Sequence, residues 1–436
     1  MDICNFQFIK DMKRKENVML NKLSLSTTKS FLKWSFLGII IGILCGIASA
    51  IFLHSLEWVT NFRENNNNII YFLPFAGVFT SFLYLKFGKN SSRGNNLILE
   101  EIQNKKEKIP LRMGPLVLIS TVISHLFGAS VGREGTAVQI GGSLAEFISR
   151  IFRLSEKDRK VILMSGISGG FGSVFGTPIT GAIFGMEVSS VGNIKYEGLI
   201  PCFVASFVGD EIGRMLKVHH TGYAIKVIPK LGILVVLKVI VASILFGLVA
   251  IIFSELIHFF KRNFAKYVKK SLIRPFVGGM IIVGLSLLVK TNIFNGIGVK
   301  TISKSFSEEL GAFIFLGKMI FTSISLGAGF QGGEVTPLFY VGSTFGNFLS
   351  NILNLDFSFL AGLGLIGVFS GASNTPLACF ILGIEMFGSE GAIYFFISAI
   401  ISYLFSGHHG IYTSQKIETA KSKLLNNHEG KKIGDI

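Results

Sequence analysis

The sequence predicts an all-α, polytopic integral membrane protein that is built from two related halves. Half of its 436 residues are hydrophobic, 42 are phenylalanine and only 16% are charged, a composition unlike that of an ordinary soluble chain. Uncharged runs long enough to span a bilayer as helices occupy residues 34–56, 161–186, 335–355 and 357–384. A set of motif residues also recurs about 200 positions further along the chain.

The formal net charge of +16 does not indicate a nucleic-acid partner. The basic residues cluster at the tails and in short connections between apolar runs, which is typical of positive loops on the cytoplasmic side of a membrane. The four cysteines have no paired spacing, so they predict neither a disulfide framework nor a metal site. No cofactor is expected.

The chain divides into five segments by composition. Residues 1–30 are basic and polar, and the apolar run after them is too long for a signal-peptide core, which indicates a retained helix with a cytoplasmic N-terminus. Residues 31–218 and 231–410 form the two transmembrane repeats, joined by a linker at 219–230. Residues 411–436 are expected to form a short cytoplasmic helix with a tail, so both termini are placed in the cytoplasm.

Glycine and proline interrupt the apolar run from Val161 to Glu187. Gly166, Gly176 and Pro178 break its helical pattern. Two half-length helices therefore suit this run better than one straight span.

The stretch from Gly132 to Ser143 places an arginine and a carboxylate after an apolar run, where charge is expensive. Glycines flank the Arg133-Glu134 pair, so the backbone can break there and begin a helix at Gly135 whose first N–H groups have no carbonyl partner. Such a helix start attracts anions. We therefore interpret Glu134 as a gate that competes with a transported anion and stands aside when it is protonated.

An internal repeat supports this interpretation. Gly132, Glu134, Thr136, Gly142 and Ser143 recur 200 residues later as Gly332, Glu334, Thr336, Gly342 and Ser343, and Thr177, Pro178, Gly185 and Glu187 recur 198 residues later as Thr375, Pro376, Gly383 and Glu385. Broken helices at equivalent positions of two repeats indicate a substrate site at the bilayer midplane. The residues alone leave open whether the two halves run parallel or antiparallel.

Three helix-start motifs in order resemble those of the CLC family of chloride channels and anion/proton antiporters. Residues 132–136 (GREGT) resemble the family's GREGP, residues 94–98 lie where GSGIP is expected, and residues 333–337 (GEVTP) lie where GxFxP is expected. Three departures, Asn95 for serine, Thr136 for proline and Glu334 in place of an apolar residue, resemble the fluoride-exporting branch of the family.

This resemblance implies a homodimer of inverted repeats, surrounded by lipid. A polytopic chain without an organellar signal indicates a bacterial inner membrane. The resemblance further implies that the protein exchanges fluoride, or other halides, for protons and performs no enzymatic chemistry. The resemblance assigns the gate to Glu134, a polar or proton pathway to Glu334, and anion binding to Asn95, Gly135, Thr136, Val335, Thr336 and Tyr412. Val188 replaces the internal proton-accepting glutamate of the chloride exchangers, which puts their inner proton route in doubt.

Several of these residues also allow purely structural interpretations. Glu134 could pair with Arg133, although adjacent helical side chains rarely meet, and Glu334 could form a salt bridge with Lys318. Thr336 and Asn95 could serve as helix caps. Glu187 and Glu385 are expected to make structural hydrogen bonds at helix ends.

The sequence leaves three rival functions open. The first is a chloride or nitrate transporter or channel of the same family. The second is a membrane-embedded enzyme that uses Glu134 with His125, although an enzyme needs no duplicated Glu-containing stretch. The third is a structural scaffold, which does not explain paired ionisable residues in apolar surroundings.

Overall fold

The computed structural model describes residues 2–103 and 107–436, and the side chains of residues 2–25 lie outside the described part. Most side chains of the predicted basic N-terminal segment, residues 1–30, therefore lie outside it. The described chain is helical almost throughout, and its first eight α-helices are α1 (Asp2–Asn65), α2 (Leu73–Leu83), α3 (Asn95–Ile102), α4 (Met113–Leu126), α5 (Glu134–Ile151), α6 (Glu156–Phe175), α7 (Pro178–Glu187) and α8 (Leu199–Met215).

A second series of helices follows the linker. It consists of α9 (Ile233–Tyr267), α10 (Ile273–Val289), α11 (Val299–Ser305), α12 (Ile314–Ala328), α13 (Val335–Leu353), α14 (Phe357–Ser373), α15 (Pro376–Phe387) and α16 (Ala392–Phe405). Three helical stretches of the described chain, Ser26–Asn65, Asn67–Ile102 and Ile233–Tyr267, are long and apolar enough to cross a membrane. The all-α polytopic class is confirmed.

The sequence repeat falls on corresponding helices of the two series. The first motif spans the start of α5 and its copy spans the start of α13, and the two Thr-Pro dipeptides begin α7 and α15. The prediction of two half-length helices in residues 161–187 is confirmed, because α6 ends at Phe175 and α7 begins at Pro178. The uncharged run 357–384 is interrupted in the same way, at Asn374 and Thr375, since proline is tolerated only in the first turn of a helix.

The last residue of α7 and a residue near the end of α15 each bind the N-terminus of the other helix. Glu187 accepts hydrogen bonds from the N–H groups of Leu377 (3.1 Å) and Ala378 (2.9 Å). Glu385 accepts them from Ile179 (2.8 Å) and Thr180 (2.7 Å). A carboxylate at a helix N-terminus satisfies orphan donors, so the structural interpretation of both glutamates is confirmed.

The prediction of a helix in the C-terminal segment is wrong. In residues 411–436 the structure has a two-residue strand, β2 (Lys416–Ile417), parallel to β1 (Ser190–Val191), and 3-10 turns at 423–428 and 433–435. Lys421 belongs to this segment. Its ammonium group donates to the side chain of Asn374 (2.5 Å) and to the carbonyl of Tyr403 (2.8 Å). These long-range contacts, rather than a local period, determine the conformation, and burial lowers the pKa of Lys421.

The crossing of α5 and α6 leaves no room for a side chain at Gly141. A Cβ atom there would lie 2.0 Å from the carbonyl oxygen of Gly166. We expect Gly141→Ala to reduce the free energy of unfolding by about 3 kcal/mol because the two helices must move apart. Gly284→Ala in α10 is the matched control, since its Cβ would meet nothing within 4 Å. Thermal unfolding in detergent measures both, and equal melting temperatures would contradict the prediction.

Candidate functional site

The two copies of the glycine-rich motif contact each other through their backbones. Gly132 and Gly333 form an antiparallel bridge in which the Gly132 N–H donates to the Gly333 carbonyl (2.6 Å) and the Gly333 N–H donates to the Gly132 carbonyl (2.8 Å). The approach requires glycine, because a Cβ on Gly333 would lie 2.6 Å from the Gly135 nitrogen. The bridge therefore brings the first turns of α5 and α13 together.

Glu134 is fully buried at this junction. Its carboxylate accepts hydrogen bonds from the N–H group of Thr336 (3.1 Å) and from the Thr336 hydroxyl. The acid of one half thus occupies the N-terminus of α13 in the other half, rather than lying over the start of its own helix as expected. Because Cα–Cβ bonds tilt toward the helix N-terminus, the first residue of α5 projects beyond its own helix.

Arg133 also contacts this carboxylate, so the expectation that the two neighbours do not pair is wrong. Its N–H group donates to Oε2 of Glu134 (3.1 Å) and its Nε to Oε1 (3.3 Å). Arg133 is the N-cap of α5 and lies outside the helix proper, so helical geometry does not separate the two side chains. Four donors therefore surround Glu134, which suits an ionised carboxylate.

Glu334 is the N-cap residue of α13 and is half-buried, with its Oε2 atom shielded from solvent. Its Oε2 atom has no hydrogen-bond partner within the described part of the chain. The interpretation that Glu334 forms a salt bridge with Lys318 is wrong, because the Lys318 ammonium donates to the carbonyls of Phe294 (3.2 Å) and Gly296 (2.6 Å). The second acid of the repeat thus presents an open oxygen at the junction.

Asn95 is the first residue of α3, and the N-cap is Gly94. The interpretation of Asn95 as a cap is therefore wrong, and its side-chain oxygen has no partner among the described residues. A Cβ built on Gly135 would lie 3.1 Å from the amide nitrogen of Asn95 and 3.7 Å from Oε2 of Glu334. Gly135 therefore has Asn95 and Glu334 as close neighbours.

The remaining predicted anion-binding residues lie around these groups. Val335 is the first residue of α13, so its N–H group has no intrahelical partner. Thr336 does not cap α13, since the helix already begins before it. The Thr136 hydroxyl is hydrogen-bonded to the hydroxyl of Thr121 (2.7 Å), in which either group can donate, and its N–H group lies in the first turn of α5, where it has no intrahelical partner.

Tyr412 is buried. The residues after Tyr412 are fixed to α3. The Asn96 amide donates to the Thr413 hydroxyl (3.0 Å) and accepts from the Ser414 N–H (3.1 Å). The C-terminal segment therefore positions Tyr412 next to the helix that begins with Asn95.

Sequence reasoning missed two polar side chains near this site. Gln139 lies one turn after Gly135, and its buried Oε1 has no partner among the described residues; its i+4 spacing from Gly135 was the available signal. Arg63 lines a cavity of about 570 Å³ that Arg133 also lines. Its position at the end of the first apolar run gave no indication of this role.

An opened pair of helix starts at the meeting point of two membrane repeats, with ionisable groups buried between them, is the architecture of a membrane ion transporter or channel. A family model described as "voltage gated chloride channel" matches residues 76–407. The chain belongs to this family, the CLC family.

Individual relatives agree with this assignment. A "chloride/fluoride channel protein" of Pseudomonas syringae pv. tomato is 46% identical over 395 residues, which cover 89% of this chain and 87% of the relative. A solved CLC-type fluoride/proton antiporter is 33% identical with a TM-score of 0.86, covering 88% of this chain and 98% of that chain. A slow cyanobacterial Cl⁻/H⁺ antiporter is 17% identical with a TM-score of 0.77, covering 87% and 96%, and shares the fold. The resemblance to the fluoride branch is confirmed.

Proposed function

We propose that this protein is a secondary active transporter that exports fluoride in exchange for protons, with Glu134 as the gate. The observation that carries the proposal is the position of the Glu134 carboxylate, which takes both the N–H group and the hydroxyl group of Thr336. An anion that is to bind at the start of α13 needs the same donors. Carboxylate and anion therefore exclude each other.

Protonation decides this competition. A protonated Glu134 has lost its charge, so its hydrogen bonds with Thr336 and Arg133 lose the charge assistance that makes them strong. The side chain is then released, and the anion takes the freed donors. One proton is thereby bound where one anion is admitted, which couples their movements.

Fluoride fits the donors that converge here. It is small and holds its water tightly, so a site must replace hydration with close donors. The candidates are the Thr336 hydroxyl, the amide of Asn95 and the first N–H groups of the two helices at Gly135, Thr136 and Val335. The solved relative at 33% identity is a fluoride/proton antiporter, which favours fluoride over chloride.

Glu334 supplies a second proton-binding group beside the gate. Its open oxygen lies near Gly135, and a carboxylate from which water is excluded gains from holding a proton. Since Val188 cannot accept a proton, we place the inward proton step on Glu134 and Glu334, with Tyr412 bordering the anion path on the cytoplasmic side. Mutation of a different acidic residue that alone stops proton flow while fluoride still moves would contradict this route.

We further propose the assembly and orientation that the family resemblance implies. Two copies form a homodimer in a bacterial plasma membrane, each with its own anion path through repeats 31–218 and 231–410, and both termini face the cytoplasm. The mass of the detergent-solubilised protein, compared with 47.6 kDa for one chain, decides the first point.

The function is tested with purified protein in liposomes that are loaded with fluoride or chloride while the external pH is recorded. We expect fluoride efflux to drive proton uptake, and chloride efflux to be slow and uncoupled. A preference for chloride or nitrate would favour the related anion transporters or channels instead. An enzyme that combines Glu134 with His125 has no support in the contacts of Glu134, which involve Arg133 and Thr336.

A further inference from the structure

Arg63, at the end of α1, carries a charge that the described structure leaves uncompensated. Its Nη1 atom is buried and has no hydrogen-bond partner among the described residues. The neighbouring acid, Glu64, is already paired with Lys300 (2.6 Å). Arg63 as a whole is half-buried, and a cationic N–H group that is shielded from water without a partner is expensive, so this side chain is suited to bind an anion.

The loop that follows α10 holds Arg63 in place. A Cβ on Gly296, whose φ is +62°, would lie 2.1 Å from Nη1 of Arg63, so the backbone of this loop lies directly against the end of the guanidinium. The carbonyl of the same Gly296 accepts from the buried Lys318 ammonium (2.6 Å). The buried Lys318 ammonium and the half-buried Arg63 guanidinium thus contact the same loop.

Arg63 also faces the cavity that leads to the gate. The cavity measures about 570 Å³, and Arg133, which contacts Glu134, lies on its wall. Its acidic residues are Glu57, which is exposed, and Glu64. A cleft lined by an excess of one charge concentrates counter-ions 10- to 1,000-fold, by order of magnitude.

We propose that this cavity contains a second anion-binding site, which holds a hydrated inorganic anion on the Arg63 guanidinium. The cavity is far larger than one water molecule at ~30 Å³, so the anion retains most of its water there. Binding depends on charge rather than on ion size, and this site does not distinguish fluoride from chloride. Selection between them takes place deeper, at Glu134 and Thr336.

The test is thermal unfolding of the detergent-solubilised full chain in sodium chloride against sodium gluconate at equal ionic strength. A bound anion stabilises the folded state, and we expect chloride to raise the melting temperature of the wild type by about 3 °C. Arg63→Gln should lose this increase. Lys290→Gln removes the same charge from an exposed side chain at the end of α10 that does not line this cavity, and should keep it.

Two results would overturn the proposal: no chloride effect on the wild type, or an equal effect on the Arg63→Gln variant. If that variant does not fold, wild-type crystals grown in sodium bromide provide the second measurement. An anomalous peak beside the Arg63 guanidinium supports the site, and a cavity without one refutes it. Neither measurement requires transport, so failure of this proposal and failure of fluoride/proton exchange are distinguishable.

Discussion

Glu134→Gln is expected to abolish proton coupling while fluoride continues to move down its gradient. Glutamine has nearly the shape of the protonated acid, but it carries no charge and cannot release a proton. It therefore competes weakly for Thr336 and Arg133 and leaves the donors accessible to the anion. Proton uptake should fall to the level of protein-free liposomes, and fluoride efflux should lose its dependence on pH.

Glu187→Gln is the matched control for this experiment. It changes another buried acid of the same repeat, but one that binds the N-terminus of α15 instead of the junction of the two motifs. We expect it to retain coupling, at some cost in stability. Proton-driven transport that survives in the Glu134→Gln variant would refute the assignment of the gate.

Thr336→Val is expected to weaken the binding of fluoride by about 10- to 100-fold. The change preserves the shape of the side chain and the backbone N–H group but removes the hydroxyl that now donates to Glu134. A hydrogen bond to a charged group contributes about 1.5–3 kcal/mol, and each 1.4 kcal/mol is a tenfold change in affinity. The measurement is the concentration dependence of fluoride flux, in which the half-saturating concentration should rise.

Two further variants make this result specific to the hydroxyl group. Thr336→Ser keeps the donor and should stay close to the wild type. Thr344→Val removes a hydroxyl from the same helix that donates to the carbonyl of Tyr340 (2.7 Å), away from Glu134, and should leave flux unchanged. Equal affinities for Thr336→Val and Thr344→Val would show that the Thr336 hydroxyl does not bind the ion.

The interrupted helices could be predicted because their cause is local. Pro178 and Pro376 cannot lie within a helix interior, so each apolar run must restart at that residue. The Thr-Pro dipeptides at positions 177 and 375 and the glutamates at positions 134 and 334 occur at corresponding places in the two halves, and these repeats identify equivalent helices from the sequence alone. Local chemistry and an internal comparison were sufficient for this part of the fold.

The partners of the buried charges could not be predicted in this way. Thr336 lies 202 positions from Glu134. Lys318 donates to two backbone carbonyls of a loop instead of pairing with Glu334, as charge alone would suggest. Both outcomes depend on how the two halves pack. The prediction for the C-terminal segment failed for the same reason, because Lys421 donates to Asn374, which follows α14, and to Tyr403 in α16 rather than to its neighbours in sequence.

The bridge between Gly132 and Gly333 restricts how the ion can be passed from one side to the other. Many secondary transporters rock one repeat against the other, but such a tilt would break two backbone hydrogen bonds in a dry interior, where they are costly to lose. We therefore expect this bridge to hold the first turns of α5 and α13 together. Alternating exposure of the ion would then come from rotation of the Glu134 side chain rather than from tilting of one repeat against the other.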